Sequence, residues 1–156
     1  MRGENFVTKK IISSLTKIKY GTQKNLVLGN LYAKRDWGHA KDYVEAIYKI
    51  VQKKKADDYV ISTGKEYTIK EFVNKTAKIL KIKLKWKGSG LRETAVDENK
   101  KIIISVDKKY FRPLEVDYLS GNSYKAKKEL KWRTNISIDD IIKEMVDFEL
   151  RILNKL

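Results

Sequence analysis

Apolar residues recur at helical spacing along most of this chain, and strand-like runs appear only as short pieces between those stretches. From Asn5 to Tyr20 the positions Val7, Ile11, Ile12, Leu15 and Ile18 define one helical face, and Gly21 supplies a stop. A second helix is expected from His39 to Lys54, with Tyr43, Val44, Ile47 and Val51 as its inward stripe. Thr68-Ile69-Lys70-Glu71 is a capping box, and it opens a helix that carries Phe72, Val73, Thr76, Ala77 and Leu80. Ser123 starts a short helix to Leu130. Ser137-Ile138-Asp139-Asp140 caps a final one with Ile141, Ile142, Met145, Val146 and Leu150 inward. Between them lie short strands at Leu26 to Leu28, Tyr59 to Ser62, Leu84 to Trp86 and Lys101 to Val106. A polar loop is expected from Lys87 to Lys100 and one helical turn at Lys108 to Phe111. The pattern is mixed α/β, and no run of parallel βαβ units completes a sheet. The chain therefore reads as part of a larger fold.

At 156 residues it has room for one domain with a real core. Its formal charge of +15 invites a nucleic-acid reading, because Lys and Arg clusters that neutralise phosphates dominate non-specific affinity. The kind of charge argues against it. There are 29 Lys and only 6 Arg, and the lysines are strewn over nearly every segment. Base-edge and bidentate phosphate contacts favour Arg. The chain has no cysteine, which excludes disulfides and thiolate chemistry, and a single histidine makes a poor basis for a transition-metal site. No apolar stretch approaches the ~20 residues of a membrane span. The first residues carry no signal-peptide core, so a cytoplasmic setting is expected.

Self-contained catalytic patterns are missing from the sequence: there is no nucleophile elbow, no HExxH and no P-loop. Gly88-Ser89-Gly90 lacks a third glycine and a following helix, and is expected as a surface turn. Tyr-x-x-x-Lys occurs at Tyr20/Lys24 and Tyr124/Lys128, but nine tyrosines in so lysine-rich a chain produce such spacings by chance. Both pairs are expected at the surface. His39 stands at a helix start, where a neutral, hydrogen-bonded ring is the plain reading and proton transfer the sharper one. Asp97, Glu98, Asp139 and Asp140 are read as solvated acids and a cap.

Three of the few arginines sit in more pointed company. Arg2 precedes Gly3 and the first helix. Arg35 lies in Lys34-Arg35-Asp36-Trp37-Gly38, a loop between a strand and a helix. Arg112 lies in Tyr110-Phe111-Arg112-Pro113-Leu114-Glu115-Val116-Asp117. Loops on a rigid scaffold concentrate binding residues, and a planar guanidinium suits a diphosphate through two parallel hydrogen bonds. Structural Arg–carboxylate pairs explain the same three positions equally well at this level.

The segments RGENFVTKKI, LGNLYAKRDWGHAKDYVEA, YVISTGKEYTIKEFV, YFRPLEVDYLSGN and KAKKELKW together resemble the second half of the GDP-mannose 4,6-dehydratase family, within the extended short-chain dehydrogenases/reductases. The resemblance covers essentially the whole chain, and AKRDWGHAKDYVEA is its most specific part. It implies the C-terminal part of an NAD(P)-binding Rossmann-type fold with an incomplete Rossmann sheet. Residues 1–156 would form the GDP-sugar-binding region, with 39–64 lending a helix and a strand to the dinucleotide-binding domain. The family reaction converts GDP-mannose to GDP-4-keto-6-deoxymannose and water with NADP, a lyase reaction.

The family's glycine-rich phosphate loop and its catalytic Thr, Glu, Tyr and Lys have no counterparts here. The resemblance therefore implies an inactive chain with no catalytic residue and no NADP held by itself, and a start in mid-motif that reads as a truncated frame or fragment. Residue by residue, it assigns Arg2 to NADP. Asn5, Val7 and Lys10 fall on the helix start that meets GDP, Arg35 and Arg112 on the diphosphate, and Glu115 on the ribose hydroxyls. Tyr32 departs from a usual Asp, which bears on the local turn; Lys9 departs from Arg and Leu114 from Thr. Expected partners are GDP-mannose and either the missing N-terminal half or complete homologous subunits, with no nucleic acid and no membrane. A stand-alone, non-catalytic nucleotide-sugar-binding or interaction module is the alternative, and a basic nucleic-acid binder a distant third.

Overall fold

In the computed structural model, residues 6–111 and 118–153 are described. Helix α1 spans Val7–Lys19, and its stop is built as the sequence predicts. Gly21 adopts φ 75°, its N–H donates to Ile18 O (3.1 Å), and the Thr22 N–H donates to Lys17 O (2.9 Å). That pair of bonds satisfies the last carbonyls of the helix, and the left-handed residue it needs is a glycine.

Strand β1 (Leu26–Leu28) is followed by β2 (Lys34–Asp36), helix α2 (Ala40–Val51), β3 (Glu66–Thr68) and helix α3 (Ile69–Ile79). Next come β4 (Lys85–Lys87), β5 (Thr94–Val96), β6 (Ile102–Val106), β7 (Tyr118–Leu119), α4 (Tyr124–Glu129) and α5 (Ile138–Leu153). Single 3-10 turns occupy Gly90–Arg92 and Lys108–Tyr110. The Thr68 box at the start of α3 is complete: Thr68 Oγ1 accepts the Glu71 N–H, and Glu71 accepts the Thr68 N–H at 2.6 Å. Ser137 and Asp140 make the equivalent reciprocal pair at α5.

Two sheets result. The first has the order β1-β6-β5-β4, parallel between β1 and β6 and antiparallel elsewhere. One row of its register runs Leu26, Ile104, Ala95, Trp86, with the first three fully buried. The second sheet is small, β3-β2-β7, antiparallel between β2 and β3 and parallel between β2 and β7.

Helices α1, α3 and α5 pack pairwise on one another and share a single core with the first sheet. Ile11 and Leu15 of α1, Phe72 and Val73 of α3, and Ile142 and Val146 of α5 meet Leu26 and Ile104 there. Complete burial of side chains this size is worth about 1.5–3 kcal/mol each, so this core carries the fold. A second, smaller cluster joins Ala46 of α2 to Ala126, Leu130 and Trp132, with Tyr59 and Ile61 against it. Trp132 Nε1 donates to Asp42 O (2.7 Å), and the buried Asp42 carboxylate accepts the N–H groups of Asn135 and Ile136.

Four expectations need correction. The stretch 87–100 is not a plain polar loop, because β5 lies inside it; three residues are too few to show a period, and only pairing with both β4 and β6 makes them a strand. Lys34–Asp36 is a strand, not a loop. Tyr59 to Ser62 is in no described sheet. The stripe on α2 does not face inward: Val44, Ile47 and Val51 are 62%, 58% and 73% exposed, while Asp42 and Ala46 are buried. The spacing does mark an amphipathic face, but its apolar side is largely exposed among the described residues.

Candidate functional site

Arg35 sits in the middle of β2, the central strand of the small sheet, paired with Tyr67 of β3 and Leu119 of β7. Its Nη1 donates to Lys34 O (2.7 Å), and its side chain is half-buried. The residues after it fix this strand. Asp36 accepts the N–H and hydroxyl of Thr63 and the N–H of Gly64. Trp37 is buried against Phe72 of α3, with ring centroids 4.9 Å apart. At Gly38 a Cβ would lie 2.4 Å from the Tyr43 hydroxyl, so a larger residue would have to displace that ring. His39 caps α2: its Nδ1 accepts the Lys41 N–H (3.1 Å), which leaves Nε2–H to face Glu144 at 3.1 Å. Both ring nitrogens of His39 thus find hydrogen-bond partners at the start of α2.

Lys10 projects from the first turns of α1 and lies over the Tyr110 ring, with Nζ 3.8 Å from its centroid. Partial burial holds its ammonium below the usual lysine range. An anion placed beside Lys10 would favour the charged form that burial disfavours. Tyr110 is brought there by a close backbone approach. A Cβ on Gly29 would fall 2.3 Å from Tyr110 O, and the Asp107 N–H donates to Leu28 O (2.9 Å). Val7, at the start of the same helix, is half-buried against the core.

Arg2, Asn5, Arg112, Leu114 and Glu115 lie outside the described residues. The chain on either side of residues 112–117 is placed, however. Tyr110 is under Lys10, and Tyr118 and Leu119 pair with Lys34 and Arg35. Lys10 and Arg35, remote in sequence, thus stand at the two ends of the segment that carries Arg112 and Glu115.

Of the remaining candidates, Tyr20 and Tyr124 are exposed at 58% and 66%, as expected of surface residues. Gly88 and Gly90 form an exposed turn. Asp97 accepts the N–H groups of Asn99 and Lys101, Asp139 pairs with Lys75, and no metal-binding cluster exists among the described residues. No helix among the described residues is long and apolar enough to cross a membrane. Lys9 pairs with the buried Glu149. Tyr32 does not disturb its turn: its N–H donates to Asn30 Oδ1 (2.9 Å), and its hydroxyl reaches buried Glu93, which also binds Lys70. That cluster was invisible in the sequence, because its members are scattered along the chain and no local spacing links them.

The fold is that of the C-terminal portion of extended short-chain dehydrogenases/reductases. RMD from Pseudomonas aeruginosa, solved with NADPH, superposes with a TM-score of 0.76 at 20% identity over 96% of this chain and 44% of that one. A UDP-glucuronic acid 4-epimerase from Bacillus cereus gives 0.72 at 15% identity over 97% of this chain and 41% of that one.

Within that class, residues 1–145 match the GDP-mannose 4,6 dehydratase family, and the chain belongs to it. The Dictyostelium discoideum GDP-mannose 4,6 dehydratase is 46% identical over 93% of this chain, and the human one 42% identical over 97%. The chain spans 41% of the length of each.

Proposed function

We propose that this chain supplies the GDP-sugar-binding portion of a GDP-mannose 4,6-dehydratase, whose complete form converts GDP-mannose to GDP-4-keto-6-deoxymannose with NADP. One observation supports it above all: Lys10 and Arg35 flank the two ends of the 112–117 segment. Val7 at the start of α1, Asn5, Arg112 on the diphosphate and Glu115 on the ribose complete the proposed contact set. Charge-assisted bonds from guanidinium groups to phosphate oxygens would supply most of the affinity.

The described residues do not form a dinucleotide cradle. The one G-x-G in the sequence leads into a single exposed 3-10 turn instead of a helix. Arg2 is the single NADP contact that the family resemblance assigns to this chain. We place α2 and residues 59–64 in the dinucleotide-binding part of the complete enzyme. The exposed Val44, Ile47 and Val60 support that assignment.

Calorimetric titration with GDP, GDP-mannose and UDP tests the reading. Saturable binding of the two guanosine ligands, weaker for UDP, is expected, and the same chain with GDP-mannose and NADP should form no 4-keto sugar. Equal heats for GDP and UDP, or none for any, would overturn the assignment.

A further inference from the structure

Glu93 is 2% exposed, and its carboxylate is shared by two groups from different elements. Lys70 Nζ, in the first turn of α3, lies 2.6 Å from Oε1. The Tyr32 hydroxyl, in the loop between β1 and β2, donates to Oε2 at 2.9 Å. Glu93 itself stands immediately before β5 of the large sheet. The same Tyr32 loop is held from its other side by α3, whose first two N–H groups, of Ile69 and Lys70, donate to Ala33 O (3.2 Å) and Leu31 O (2.9 Å). The residues leading into β2 are thus pinned by main-chain bonds to α3 and by side-chain bonds to the large sheet. The Lys70 ammonium, over the Trp86 ring at 4.7 Å, closes the cluster on the edge strand β4. Its hydrogen bond to Glu93 raises its pKa and keeps it charged.

The clasp bridges the two sheets. Lys10 and Tyr110 belong to the end of the large sheet where β1 and β6 finish, and Arg35 belongs to the small one. We infer that Glu93, acting through Tyr32 and Lys70, is a positioning residue that fixes the Arg35 strand relative to the Lys10–Tyr110 pair. Its functional meaning rests on the ligand reading given above. A buried carboxylate is costly unless its acceptor sites are filled, so loss of either partner should loosen the loop it holds.

Hydrogen–deuterium exchange on the 156-residue chain tests this, with Tyr32→Phe, Lys70→Met and Lys70→Arg as variants. Tyr32→Phe removes one hydroxyl from a half-exposed ring and so leaves the fold intact. It and Lys70→Met should speed exchange across 31–36 by roughly tenfold while leaving 11–18 and 142–150 unchanged. Lys70→Arg, which keeps the charge, should restore slow exchange, a rescue that a packing role alone would not give. No acceleration in 31–36, or an equal acceleration everywhere, would overturn the clasp. A second arm adds GDP. Protection of 34–36 in the parent chain that is lost in Tyr32→Phe ties the clasp to ligand binding. No protection in the parent chain would sink the ligand reading and leave the exchange result to judge the clasp alone.

Discussion

Asp36 and Thr63 are joined twice: Thr63 donates both its N–H (3.2 Å) and its hydroxyl (2.6 Å) to Oδ1 of Asp36, while Gly64 N–H takes Oδ2 at 2.8 Å. The residue next to Arg35 therefore anchors the stretch that ends the unpaired 59–62 segment. Ser62 adds a second tie through its hydroxyl to Gly121 O (2.6 Å), just beyond β7. Arg35's own strand and the turn just beyond its neighbour β7 are thereby bound to one extended segment.

Removing that anchor should cost stability and expose the turn. Asp36→Ala is expected to destabilise the chain by about 2–3 kcal/mol and Asp36→Asn by about 1, because hydrogen bonds to a carboxylate exceed neutral ones. Urea unfolding measures both. An Asp36→Ala midpoint equal to that of the parent would show that the three bonds contribute nothing net.

Ligand binding should depend on Arg35 and Arg112 far more than on any lysine outside the proposed contact set. Arg35→Lys and Arg112→Lys each keep the charge and lose the fork, and should weaken GDP by about tenfold, near 1.4 kcal/mol. Lys78→Gln and Lys127→Gln should change little beyond a weak ionic-strength effect. If all four variants bind GDP alike, the lysine-rich surface field explains binding and the arginine assignment fails.

The bare face of α2 should drive association. Val44, Ile47, Tyr48 and Val51 form an exposed apolar stripe on α2, Val60 is exposed as well, and such patches on a monomer mark contact surfaces. Sedimentation should show concentration-dependent self-association of the parent chain. The double variant Val44→Glu/Ile47→Glu should be monomeric at the same concentration with little loss of folding stability. A strictly monomeric parent at high concentration would contradict this.

The α3 cap should leave a signature at low pH. The Thr68 N–H and hydroxyl hold the Glu71 carboxyl below its ordinary value of 4.5. A carboxylate depressed in the folded state contributes fully above the unfolded pKa, and its contribution fades as pH falls through the lower folded value. The stability gap between the parent and Glu71→Gln should thus be constant from pH 7 to about 5 and close below it. A gap independent of pH would show that shape, and not charge, makes the cap.

The helices were legible because their signals are local. The Thr68–Glu71 box, Gly21 and the apolar faces of α1, α3 and α5 are each written within a few residues, and the physics that satisfies a helix end acts over the same range. The arginine-bearing segments were also legible, through their residue types and their likeness to a family. What the sequence alone did not determine is whatever needs a partner distant in the chain. Thr94–Val96 becomes a strand only between β4 and β6. Lys34–Asp36 becomes one only between β3 and β7. Glu93 is buried only because Tyr32 and Lys70 converge on it. On α2 the sequence shows an apolar stripe and tertiary structure decides where it points: burying Asp42, whose carboxylate is filled by the Asn135 and Ile136 amides, turns Val44 and Ile47 outward.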